Sequence, residues 1–141
     1  MKRAVVMLLL SVAIVGCSGF DSEEDAKAKE ALIGSWYNEA KDSSGREFKY
    51  VVTLDASGTF SARERATGEP TEEKSAGPWY VTESLLKLHT NEIDGKKLGT
   101  RDSRFFTCKL VELNSREFAC VRSGGNGRLV FRKVSDDFAL S

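Results

Sequence analysis

The 141-residue chain has one histidine, three cysteines and no formal net charge at neutral pH, and each shortage closes off a class of function. The single histidine, His89, stands beside Lys87 and Thr90. General-base catalysis through an activated nucleophile asks for a serine or cysteine set next to such a group, and no motif here places one, so no catalytic residue is assigned and the chain reads as a non-enzyme. A zinc site needs clustered ligands; with the three cysteines committed to the other roles read below, none remains, so neither a metal nor another cofactor is expected. Nucleic-acid binding asks for a clustered basic face, which 21 basic against 21 acidic residues do not suggest. The same balance offers no strong attraction to an anionic membrane surface. No apolar run reaches the roughly 20 residues that cross a ~30 Å hydrocarbon core. Gly124-Gly125-Asn126-Gly127 is not a phosphate loop, because no Lys-Ser/Thr follows it and the next segment reads as a strand.

The one sizeable apolar run is Ala4 to Val15, broken only by Ser11 and preceded by Lys2 and Arg3. A charged start, a short apolar stretch and a small residue after it form the pattern of a signal peptide. A buried N-terminal core helix is the other reading, disfavoured by the polar run Ser18 to Glu30 directly behind it. Ile14-Val15-Gly16-Cys17 resembles the lipobox of bacterial lipoproteins. The resemblance implies cleavage after Gly16 and three acyl chains on Cys17, whose thiolate is the strongest side-chain nucleophile near neutral pH. Two or more chains give stable anchoring where one does not. Ser18 stands where an aspartate commonly retains such proteins in the inner membrane, so the resemblance implies the outer membrane, periplasmic face. Without Lys2 and Arg3 the basic count falls to 19 against 21 acidic residues, a net charge of −2. About 125 remaining residues suffice for one domain with one core.

The expected organisation is a signal peptide over 1–16, a lipidated cysteine and polar tether or short helix over 17–31, a β-barrel domain over 32–134 and a tail over 135–141. In Asp21 to Ala31 the acids come first and the lysines after, an order that suits a helix dipole, and Ser22 is placed to cap its start. A solvated spacer is the plainer reading. From Leu32 onward, short stretches rich in Val, Thr, Phe, Tyr and Trp alternate with turn residues, the all-β signal. Eight segments follow: Leu32–Glu39, Arg46–Asp55, Thr59–Ala66, Ala76–Thr82, Leu85–Asn91, Ser103–Leu113, Arg116–Arg122 and Arg128–Val134. Their separators, among them Asp55-Ala56-Ser57-Gly58, Asp94-Gly95 and Gly124 to Gly127, supply residues that tolerate positive φ. Sequential strands joined by short loops make an antiparallel meander. Eight can close into an up-and-down barrel; a sandwich of six or seven strands is the competing architecture.

With Cys17 acylated, Cys108 and Cys120 remain as a pair, and an oxidising periplasm would preserve their disulfide. Period-two alternation puts both on inward faces. A hairpin closing around Asn114 sets them directly opposite each other, close to disulfide distance. Two unlinked buried thiols are the other possibility.

Gly34-Ser35-Trp36-Tyr37, opening the first strand, resembles the Gly-x-Trp signature of the lipocalin and calycin group. That resemblance implies a barrel whose closed end is plugged by Trp36, with Arg132 packed on the tryptophan as a cation–π partner and Arg128 as a substitute. Asp-x-x-Gly-Thr-Phe at 55–60, Gly77-Pro78-Trp79 and the Leu-x-Leu of 86–88 are similar to small bacterial lipocalin-like lipoproteins. An eight-stranded barrel is either filled by its own side chains or holds one small ligand. Trp36, Phe48, Tyr50, Phe60, Trp79, Phe106, Phe118 and Phe131 therefore either line a pocket for a small apolar or amphipathic ligand or form a packed core. Binding of a periplasmic protein through loops 67–75 and 92–102 is the alternative function. Arg63-Glu64-Arg65, Glu72-Glu73 and Asp136-Asp137 read as solvated charges.

Overall fold

Ser22 caps a helix, α1 (Glu23–Leu32), its hydroxyl accepting the Asp25 amide at 3.2 Å, with three acids in the first turn and Lys29 in the last. The computed structural model describes residues 22–124 and 127–140. The expected signal peptide, the lipobox and Cys17 lie outside the described residues, as do Gly125 and Asn126 of the expected glycine turn. One residue, Ile33, already extended at φ −61° and ψ 128°, separates the helix from the first strand, which opens on Gly34 at φ +130°. A Cβ there would also sit 2.8 Å from Lys133 Cε and closer still to its Nζ, so only glycine makes this corner cheaply.

Ten strands follow: β1 (Gly34–Lys41), β2 (Glu47–Leu54), β3 (Thr59–Ala66), β4 (Glu73–Thr82), β5 (Leu85–Thr90), β6 (Glu92–Ile93), β7 (Lys96–Lys97), β8 (Arg104–Leu113), β9 (Glu117–Arg122) and β10 (Arg128–Val134). All neighbouring pairs are antiparallel, and β1 pairs with β10 while β3 pairs with β4. Strands β1–β5 and β8–β10 thus form a closed eight-stranded up-and-down barrel of lipocalin-like architecture. Unbroken pairing around the ring excludes the two-sheet sandwich and removes free edges. The short pair β6–β7 folds over Asp94-Gly95 and attaches to β4 through Ser75↔Ile93 and Ala76↔Glu92. Asp94 Oδ1 accepts the Lys74 amide at 2.9 Å, which helps extend β4 back to Glu73 rather than Ala76.

Inward residues alternate as period two demands. Trp36, Val52, Leu54, Phe60, Ala62, Trp79, Val81, Leu86, Leu88, Cys108, Phe118, Cys120 and Phe131 make the core together with Leu32 from the helix. The packed half lies at one end of the barrel, where the β2–β3, β4–β5 and β8–β9 turns gather beneath α1. Helix α1 is therefore a lid and not only a tether: Leu32 is fully buried, its carbonyl accepts Trp36 Nε1 at 2.8 Å, and Lys29 lies over the Trp79 ring. Asp25 is buried too, its two carboxylate oxygens accepting the amides of Glu83 and Ser84 at 2.8 and 2.9 Å. Those residues form the tight β4–β5 turn at φ 52° and 61°, an unfavourable conformation for side-chain-bearing residues.

Cys108 and Cys120 are joined by a disulfide with Cα atoms 5.5 Å apart. They are not directly opposite. The two-residue turn is Ser115-Arg116, not one centred on Asn114, because Asn114 N–H donates to the Glu117 carbonyl. A β-bulge between Leu110 and Glu112 then shifts the register so that Cys120 faces Leu110 and Cys108 faces Arg122. The bond runs diagonally, between two inward residues on the same face.

The tail packs on the outside of β1–β3. Leu140 and Phe138 cover Tyr37, Val51 and Val134. Arg63 donates to the Phe138 carbonyl, Arg65 Nη1 donates to the Leu140 carbonyl at 3.2 Å, and Asp136 accepts the Ser35 hydroxyl at 2.7 Å. The expectation of solvated charges at Arg63, Arg65 and Asp136 is corrected: once the chain end folds back, outward charges on β3 meet main-chain carbonyls.

Candidate functional site

Above the packed half, the barrel opens into a cup of about 440 Å³ at the end away from α1. Leu88, Leu129, Phe131, Phe106 and Tyr50 supply its apolar floor and walls, and Phe48 and Phe105 reach its mouth. The eight inward aromatics divide between the two halves. Trp36, Phe60, Trp79 and Phe118 are buried in the packed half, whereas Phe48, Tyr50 and Phe106 are half-buried and face the cup. Phe131 is the floor between them, stacked on Phe118 at 4.6 Å and edge-on to Tyr50 at 6.3 Å. Trp36 continues this column edge-on to Phe118 at 4.9 Å. Aromatic pairs in such geometries add stabilisation beyond their buried area, so the cup rests on a well-packed base.

Four charges point inward at the mouth: Glu64 on β3, Glu73 on β4, Arg104 on β8 and Arg122 on β9. Arg104 pairs with Glu73 at 3.6 Å, and Arg122 lies over the Phe106 ring at 5.5 Å. Glu64 is opposite Glu73 in the β3–β4 register and has neither an ion pair nor a hydrogen bond among the described residues. Burial raises its pKa, the Glu73 charge raises it further, and Arg104 partly opposes both. Burial likewise pushes the Tyr50 phenol up, with the charge of Glu64 adding to it. The Tyr50 hydroxyl makes no hydrogen bond among the described residues. Asn38, also inward, is satisfied by the Val130 carbonyl at 2.8 Å.

The cation on the buried tryptophan is not Arg132. Lys133 Nζ lies 4.7 Å from the Trp36 ring centroid and donates to the Ile33 carbonyl at 2.7 Å. Arg132 faces outward, 4.7 Å over Tyr37 and 5.6 Å over Phe138. The strand register explains the difference, since Trp36 pairs with Lys133 and Tyr37 with Arg132. Arg128, the substitute, pairs with Glu112 instead. His89 lies on the outer face of β5, stacked on Phe105 at 4.1 Å, its Nε2 buried without a hydrogen-bond partner among the described residues. No group of three His, Cys, Asp or Glu among the described residues is placed to hold a metal ion.

Sequence reasoning overlooked Glu64, Arg104 and Arg122 as inward groups. The signal was present: each lies an even number of residues from an inward core side chain on its own strand, Phe60, Phe106 and Phe118 in turn. Loops 67–75 and 92–102 are shorter than expected, since Glu73 begins β4 and 92–97 fold into β6 and β7. No protein-family model matches the chain, and no curated protein is significantly similar to it in sequence.

Proposed function

We propose that this protein binds one small apolar or amphipathic ligand in the open half of its barrel, held by acyl chains on Cys17 at the periplasmic face of the outer membrane. The observation that carries the binding reading is the half-empty interior. A cup of about 440 Å³ falls within the usual 300–1,000 Å³ of small-molecule sites. Its apolar floor with a few convergent polar groups has the expected lining of such a site. The anchoring reading rests on the lipobox resemblance of residues 14–17 and on a disulfide suited to an oxidising compartment.

Native mass spectrometry after mild extraction tests the first reading. Uptake of one molecule from a panel of medium-chain fatty acids, alcohols and amines is expected, and failure to take up any of them rules the reading out. For the second, Cys17→Ser is expected to leave an unprocessed precursor without palmitate label. Normal labelling of that variant disproves the anchor.

A further inference from the structure

We propose that the ligand taken by the cup carries a protonated amine, and that Glu64 is the group that receives it. This rests on the cup being a binding site at all. A carboxylate removed from water is costly unless it is paired or hydrogen-bonded. Of the inward charges, Glu64 alone is both partly desolvated and without an ion pair or hydrogen bond among the described residues: Glu73 is engaged by Arg104, and Arg122 lies against Phe106 at the exposed rim. The charges nearest Glu64 sharpen the point, because the adjacent Glu73 repels it and Arg104 already has Glu73 as its partner. Beside it stands the Tyr50 ring, directly across in the β2–β3 register, with a hydroxyl that makes no hydrogen bond among the described residues.

An ammonium between Glu64 and the faces of Tyr50 and Phe48 would gain a charge-assisted hydrogen bond and cation–π attraction. It would also relieve the repulsion between the two glutamates. The remaining apolar part of the ligand would lie on Leu88, Leu129 and Phe131. An anionic head would meet the same unpaired carboxylate and be repelled by it.

The test compares three probes of equal length, octylamine, octanol and octanoate, by titration calorimetry on the lipidated protein in nanodiscs. Empty nanodiscs and the cup-filling variant Ala40→Trp serve as blanks. Octylamine is expected to bind roughly tenfold tighter than octanol, the worth of one charge-assisted hydrogen bond, and octanoate more weakly than either. Glu64→Gln is expected to bring octylamine to the level of octanol. Octanol binding without a preference for the amine, or a preference that survives Glu64→Gln, overturns the amine inference and leaves the cup reading standing. If no probe binds above the blanks, the cup reading falls and this inference falls with it.

Discussion

Asp25 shows how much one side chain can tie together. It sits in the first turn of α1, where its charge suits the helix dipole, yet its carboxylate also clamps the strained turn at Glu83 and Ser84. The Ser84 amide is the main cause of its lowered pKa; burial opposes this, and the Glu83 amide and Ser22 add to it. The sign follows directly. A carboxyl group whose folded pKa lies below the unfolded value of 3.8 contributes stability that is complete above that value and is lost as pH falls through the depressed one. Asp25→Ala should therefore lower the thermal midpoint at pH 7. It should also flatten the loss of stability as pH falls below about 3.8, where the carboxylate protonates. Thermal melts across that range check both effects; an unchanged acid limb would falsify the clamp. The serine cap and the acids-then-lysines order were legible here. The partner of Asp25 was not, because it lies 58 residues away on a turn that helix periodicity does not describe.

At the level of elements, the β8–β9 hairpin shows where alternation succeeds and register fails. Parity alone put Cys108 and Cys120 on one face, because side chains in a strand alternate whatever the partner. The direct opposition expected from a symmetric turn did not occur: a bulge at Val111 and a turn over Ser115-Arg116 are set by local hydrogen bonding. The bond closes a loop with a sequence separation of 12, so Cys108→Ala with Cys120→Ala should cost about 3 kcal/mol in a chain-entropy account, read from denaturant midpoints. The tail makes a second case. Leu140 is buried against Tyr37 and Val51, and Leu140→Ala should cost about 2 kcal/mol. Equal stability of the variant would mean that the tail does not hold the outer face. Nothing in 135–141 announces this, since the patch Leu140 covers is made chiefly by Tyr37 and Val51, outward residues of strands far earlier in the chain. Gly77 belongs to the same scale. A Cβ there would lie 1.8 Å from the His89 carbonyl oxygen, so Gly77→Ala should destabilise by at least 1–3 kcal/mol through main-chain displacement, measurable in the same titrations.

Across the whole molecule, eight strands enclose a barrel that is neither hollow nor full. The end under α1 is packed with Trp36, Trp79, Phe118 and Leu32, while the other end keeps an open mouth lined by charged side chains, Ala40, Phe48 and Phe105. Ala40 faces that mouth. Ala40→Trp should fill it, leaving the circular dichroism spectrum unchanged while reducing probe uptake at least tenfold. Undiminished uptake would place the ligand elsewhere on the molecule.

Strand composition, turn residues and period-two alternation were enough to determine an all-β meander, its eight barrel strands and its inward faces, because these depend on local sterics and on which side chains water rejects. Ring closure, the diagonal disulfide, Lys133 in place of Arg132 on Trp36, the lid formed by α1 and the pairing among the charges at the mouth were decided only in three dimensions. Ring closure and the cation on Trp36 depend on register between strands distant in sequence, where a shift of one residue exchanges inside for outside; the diagonal bond depends on a local bulge, and the lid on contacts of α1 with strands far along the chain.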